Sequence, residues 1–209
     1  MAEQSSPVFT FLGGNLALDF ANTVGWHASN DPSDRITSYS DLVTWGTQAG
    51  ILSELQAAYL EQAQTVRPEE AALALRMAEE LREAIYGLVT ARIAGRQPAA
   101  ADAGVLNRVL REGLLRLRVA PTESAFALQW APDDLLERPM WSVAWAAAQL
   151  LVSPDLARAK QCASTDGCGR LFLDQSKNLS RRWCEMRACG NTAKARRLRD
   201  RRRLEARRK

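Results

Sequence analysis

Residues 162–197 read CASTDGCGRLFLDQSKNLSRRWCEMRACGNTAKARR, and their reading decides how the chain is built. Cysteines stand at 162, 168, 184 and 189, as two close pairs separated by 15 residues. A tetrahedral thiolate site takes its ligands from two separate chain segments, and this order supplies them. The first pair flanks turn formers ending in Asp166-Gly167, with Gly169 just after Cys168. Arg170–Asp174 then alternates like a strand, and the second pair opens a long helical stretch. The spacing therefore points to one Zn2+ on Cys162, Cys168, Cys184 and Cys189. The alternative is four unrelated thiols. Exposed in a basic segment, these would be a reactive liability.

The charge distribution works outward from the same segment. The whole chain has 209 residues and a formal charge of +4. Residues 158–209 carry 17 basic and 5 acidic side chains, a balance of +12, against −8 for residues 1–157. Four thiolates on one Zn2+ lower the tail by about 2 and leave it strongly basic. Residues 191–209 (NTAKARRLRDRRRLEARRK) set Lys194, Arg197, Arg201 and Arg208 on one helical stripe. Arg196, Arg199, Arg203 and Arg207 form another. Leu198 and Leu204 make no continuous apolar face, so this helix cannot bury itself. Its like charges repel at i,i+4 until a polyanion neutralises them. Arginine suits bidentate contacts to phosphate and guanine. Candidate nucleic-acid contacts are Arg181, Arg182, Lys194, Arg196, Arg197, Arg199, Arg201, Arg202 and Arg203, with duplex DNA the expected partner. RNA or ribosome binding, or a merely solvated tail, is the competing use.

The first 157 residues read as a helical domain with one small β-hairpin. Leu16–Val24 is a compact apolar stretch in which Asp19 and Asn22 share a face. Residues 25–37 are rich in turn formers. Ser38 or Ser40 caps a helix through Ala49, and Gly50 follows as its stop. Ser53 caps the next helix, with Leu55, Tyr59 and Gln62–Ala63 on one side. From Pro68 to about Ala94, Leu73, Met77, Leu81, Ile85 and Leu88 recur as a core-facing stripe. Ala101–Gly113 is another helix, with Leu106, Val109 and Leu110 inward. Leu115, Leu117 and Val119 alternate, and Phe126, Leu128 and Trp130 answer them after a turn. Pro139 starts an apolar helix over Met140–Val152, too short to span a membrane. The opening Met-Ala-Glu-Gln-Ser-Ser has no positive n-region, so a cytoplasmic protein is expected.

One histidine excludes sites needing several His ligands. Asn15, Asp19, Asn22, Trp26, His27 and Arg35 cluster in sequence and are candidates to line a pocket for a small-molecule effector. A hydrolase-like use of Asp19 and His27 is an enzymatic alternative. The plainer reading is that Asp19 and Asn22 fasten the following loop to the helices. No nucleophile–base pair and no phosphate-cradling loop is evident, which favours a non-enzyme.

The run at 162–197 resembles the CGNR-type zinc finger of bacterial proteins. The likeness lies in Cys162, Cys168, Gly169, Leu171–Asp174, Ser176, Asn178, Ser180–Cys184, Met186, Cys189-Gly190-Asn191, Ala193-Lys194 and the arginines beyond. The motif's arginine is Thr192 here. GGNLALDFANTV (13–24) and LVTWGTQAGIL (42–52) resemble the ABATE domain, described as a stress-induced transcription regulator. The resemblance implies a mainly α protein: a helical domain over 1–157, then a treble-clef-like zinc finger over 158–209 ending in a basic helix. It also implies a DNA-binding transcription regulator whose N-terminal domain senses a ligand or forms a homodimer.

Overall fold

The computed structural model describes residues 7–131 and 135–206. The leader reading at residues 1–6 and the positions of Arg207 and Arg208 lie outside these. Helix α1 (Leu16–Ala21) is short because Asn15 caps one end and the chain turns at Asn22. A two-residue ladder, β1 (Val24–Gly25) with β2 (Ser33–Asp34), closes the turn-rich stretch that follows. Helix α2 (Tyr39–Gln48) starts in a capping box of Ser38 and Asp41, and α3 (Glu54–Val66) in one of Ser53 and Gln56. Each box satisfies backbone donors left open by the first helical turn. Gly50 takes the left-handed φ of 73° that ends α2.

Helix α4 (Pro68–Ile93) is the long strut of the body. Its buried face differs at the start from the leucine stripe read in the sequence. Ala71, Ala74 and Ala78 face inward there, while Leu73 is 47% exposed; Leu81, Ile85 and Leu88 continue the buried face. Small side chains let neighbouring helices approach closely, which apolar counting does not detect. In α3 the buried pair is Leu60 and Ala63, and Leu55 and Tyr59 turn outward. Helix α5 (Ala100–Leu114) buries Leu106 and Val109. Helix α6 (Arg138–Val152) runs through the centre, with Met140, Trp141, Val143 and Ala144 shielded from solvent.

Between α5 and α6 stands the expected hairpin, β3 (Leu117–Pro121) against β4 (Phe126–Trp130), in the register Leu117↔Trp130 and Val119↔Leu128. After α6 a 3₁₀ turn (Pro154–Arg158) leads into β5 (Ala159–Gln161), which pairs antiparallel with β6 (Leu171–Leu173). A π-type turn (Met186–Gly190) then passes into α7 (Asn191–Ala206).

The finger does not hang on a linker. Ala159, Leu171 and Leu173 belong to the same apolar core as α1, α4 and α6. The opposite side of the sheet, through Phe172, packs with Cys162, Cys168 and Cys184 in a second small core. Period-2 alternation along β6 thus serves two cores at once. Among the described residues no helix is long and apolar enough to cross a membrane.

Candidate metal centre and basic helix

Each cysteine sits where a local device presents it. Cys162 follows β5, and its N–H donates to the Arg170 carbonyl (2.8 Å), extending the β5–β6 ladder into the first knuckle. Cys168 lies between Gly167 (φ 84°) and Gly169 (φ 68°). Both glycines also press on the body: a Cβ at 167 would stand 2.6 Å from the Ser29 Cβ, and one at 169 would stand 2.6 Å from the Ala28 nitrogen. Only glycine meets both demands. Cys184 ends the loop after β6, and Cys189 sits in the π-type turn that launches α7.

The four Sγ atoms lie within 4.8 Å of one another. Cys184 Sγ is 3.7 Å from both Cys168 Sγ and Cys189 Sγ. A tetrahedron with Zn–S bonds of about 2.3 Å has S–S edges of about 3.8 Å. The cage is therefore sized for Zn2+ with four thiolates and no open position, the form of a structural site. The Cys184 N–H donates to Cys162 Sγ (3.4 Å), as backbone amides do to a bound thiolate.

Charge explains why the cage needs a cation. Hydrogen bonds from Cys168 and Cys184 hold the Cys162 thiol far below its ordinary range. Cys184 is driven up by serving as donor to Cys162 and Cys168. Burial, then the neighbouring sulfurs, push Cys189 up to about 12. Thiols packed this closely cannot all ionise against one another's charge. A divalent cation reverses this by stabilising all four.

The loop between β6 and Cys184 is braced by Asp174, which is fully buried. Its carboxylate accepts from Lys160 Nζ (2.6 Å), Ser176 N (2.9 Å), Ser176 Oγ (2.6 Å) and Arg181 N (2.9 Å). Burial opposes ionisation, but these donors outweigh it and keep the acid well below the usual carboxylate range. The Arg181 guanidinium donates to the carbonyls of Trp183 (3.0 Å) and Cys184 and lies 4.3 Å over the Phe172 ring. Arg181 is thus engaged in holding the second knuckle.

The other basic candidates divide by environment. Arg196 donates to Thr165 Oγ1 (2.8 Å) and pairs with Asp166 (3.0 Å), tying α7 back to the first knuckle. Arg182 and Arg197 stack on the Trp183 ring at 5.3 and 5.9 Å. Lys194, Arg199, Arg201, Arg202 and Arg203 are exposed along α7. Thr192 donates to the Ala188 carbonyl (3.1 Å), a local tie across the start of the helix.

The six polar candidates of the N-terminal part take up separate posts rather than sharing one basin. Asn15 caps α1. Asp19 accepts from Gly13 N (2.7 Å), and its burial raises its pKa. Asn22 fastens the finger: its amide donates to the Leu171 carbonyl and accepts from the Leu171 N–H, both at 2.8 Å. His27 pairs with Glu83 (2.8 Å) and lies 3.5 Å, centroid to centroid, from the Tyr86 ring. His27 is therefore given to Glu83 and Asp19 to Gly13, so the two do not form an acid–base couple. Arg35 donates to the Val8 carbonyl and covers Phe9. Trp26, half exposed with a left-handed φ of 55°, lines a cleft of about 340 Å³. Arg170, Glu185 and Thr192 line it too, beside Cys168 and Cys189.

Tyr86 and Gln161 matter here and carry no signal in the sequence. Tyr86 donates to the Gly169 carbonyl (3.1 Å) and accepts from Gln161 (2.7 Å), clamping α4 to the first knuckle. Gly13 O receives the Leu173 N–H, and Gly167 O receives the Ala28 N–H. Such seam contacts join residues far apart in the chain and have no local signature.

Comparison with known proteins agrees with this arrangement. Residues 158–202 match the family model of the CGNR zinc finger. Residues 14–154 match the ABATE model, whose description is "Putative stress-induced transcription regulator". A search of curated proteins finds no match. With the ABATE model covering well over half of its length, the chain belongs to the ABATE family and carries a CGNR zinc finger at its C-terminal end.

Proposed function

We propose that this protein is a cytoplasmic, non-enzymatic transcription regulator that binds duplex DNA through its zinc module. The observation that carries the reading is the launch of α7. The helix begins two residues after Cys189, so Zn2+ fixes its direction, and it bears Lys194, Arg199, Arg201, Arg202 and Arg203 on open surface. Arg196 is anchored on the knuckle and sets the helix's angle. The exposed guanidiniums act on phosphates and base edges, while Arg181 and Asp174 keep the platform rigid. The N-terminal body supplies the regulated part, sensing a small effector or joining two copies. The cleft bounded by Trp26 and Arg170 abuts the metal knuckles, and an effector held there would act on the angle of α7.

The test is binding of the zinc-loaded chain to random-sequence duplex DNA and to structured RNA at equal salt. Tighter binding to the duplex supports the reading. Preference for RNA moves the protein to RNA or ribosome association, and binding to neither overturns nucleic-acid recognition.

A further inference from the structure

Residues 175–183 read QSKNLSRRW, a basic loop without an acidic side chain, and an exposed leucine stands in its middle. Leu179 is 44% exposed and has a left-handed φ of 48°. Bulky side chains avoid that conformation, which glycine and asparagine take more readily. The backbone is nevertheless pinned on both sides of it. Leu179 N donates to the Ser176 carbonyl (3.1 Å), and the Leu179 carbonyl accepts from Lys160 Nζ. Ser180 N donates to Ser176 Oγ (3.0 Å), and Arg181 N to Asp174 (2.9 Å). The network around Asp174 thus fixes a strained turn, and the turn holds a leucine out in solvent. Such strain persists only where the surroundings over-determine it, and it marks functional positions. Lys177 and Arg182, also exposed, flank the leucine in the chain.

Next to the turn is a recess of about 360 Å³, lined by Ser176, Ser180, Arg181, Arg182, Trp183 and Met186. Ser176 is committed to Asp174, and Arg181 to the carbonyls of Trp183 and Cys184. Ser180 Oγ has no hydrogen-bond partner among the described residues. Neither has the Arg182 guanidinium, which lies over the Trp183 ring. No carboxylate lines the recess. Of the two acids that bound the loop in the chain, Asp174 is buried and paired with Lys160, and Glu185 lines the cleft beside Trp26. Met186, 57% exposed, begins the π-type turn that launches α7, and Arg197 of α7 reaches the Trp183 ring. Loop and basic helix therefore adjoin through Trp183.

We propose that Leu179 is a wedge that enters the minor groove of duplex DNA beside the segment held by α7 and parts one base step. Apolar side chains inserted in this way unstack a step and kink the duplex. Charge selects this occupant. An apolar tip set between Lys177 and Arg182, with no anion around it, suits a partner that carries phosphates outside and stacked rings within. Arg182 and Ser180, at the recess, take the phosphate next to the parted step. A pinned turn gives up little freedom on insertion, which favours binding. The inference rests on the proposed DNA binding and adds a source of sequence preference to it. Pyrimidine–purine steps unstack most easily, so they are the steps the wedge selects.

The experiment uses the zinc-loaded full chain and short duplexes with a fluorophore at each end and 2-aminopurine beside a central TA step. Expected are tighter binding than to a duplex with an A-tract at that place, a kink on the order of 20–90°, and brightening of the 2-aminopurine as the step unstacks. Leu179→Gly and Leu179→Asn both fit the left-handed turn. Their zinc content should be unchanged and their melting temperature equal or higher, while the kink, the brightening and the TA preference disappear. A leucine that serves packing alone gives the reverse, a lower melting temperature with the DNA response intact, and that result overturns the wedge. A wild-type chain that binds the duplex without kinking it also overturns the wedge, and both results leave DNA binding itself standing. A chain that binds no duplex removes the DNA reading and the wedge together. Leu179-dependent binding to vesicles of anionic lipid would then assign the loop to a membrane surface.

Discussion

Asn22 ties the two modules with one side chain. Its amide satisfies both backbone groups of Leu171 in a buried setting, 149 residues away in the chain. Asn22→Ala leaves a donor and an acceptor buried without partners, at about 1–3 kcal/mol each. The expected result is a melting temperature lowered by several degrees with zinc still bound, read by thermal unfolding and metal analysis. Gly167→Ala meets both a positive φ and the Ser29 backbone, and should destabilise by about 1–3 kcal/mol. Asp174 gives a pH signature. Its folded pKa lies below the ordinary carboxylate value, so its contribution is complete above about pH 4 and fades as pH falls toward the folded value. Asp174→Asn should cost stability at pH 7 and narrow its gap to the wild type in acid. Melting curves from pH 7 to 3 measure this, and a gap that does not change with pH would contradict it.

At the scale of elements, what the sequence makes readable depends on how local the cause is. Capping residues act within one turn, so the starts of α2, α3 and α4 at Ser38, Ser53 and Pro68 follow directly from the chain. Ligand spacing is similarly local, and Cys162, Cys168, Cys184 and Cys189 converge as their chemistry demands. The faces of helices are less legible. Leu73 and Tyr59 are apolar enough to suggest burial, yet alanines line the close approach of α4, and Leu60 with Ala63 lines that of α3. Which face is buried follows from neighbouring helices, not from hydrophobicity within the segment. The polar run from Asn15 to Arg35 looks like a pocket by proximity in sequence, but its partners are Gly13, Leu171, Glu83 and Val8. The arginines around α7 divide into those that face solvent and those that hold the finger together. Replacing Arg199, Arg201, Arg202 and Arg203 with alanine should flatten the salt dependence of DNA binding by about 0.9 for each phosphate no longer neutralised, with zinc retained. Arg181→Ala should instead loosen the second knuckle and lower zinc affinity, measured by competition with a chelator.

At the scale of the whole molecule, a −8 body and a +12 tail are welded through β6 into a shared core. The shared core couples metal occupancy to the stability of both parts. Removing zinc should lower the stability of the helical body as well as the finger, with one cooperative transition shifted downward rather than a body unfolding at its original temperature. The weld also makes the body a rigid mount from which α7 projects at a fixed angle. On the proposed function, zinc, body and basic helix would act together on a polyanion. The decisive measurement is the affinity of the zinc-loaded chain for duplex DNA across a salt series. A linear fall of log affinity with log salt is expected, of slope about −0.9 per phosphate neutralised, with weaker binding after chelation. A flat salt response, or binding indifferent to zinc, would contradict this.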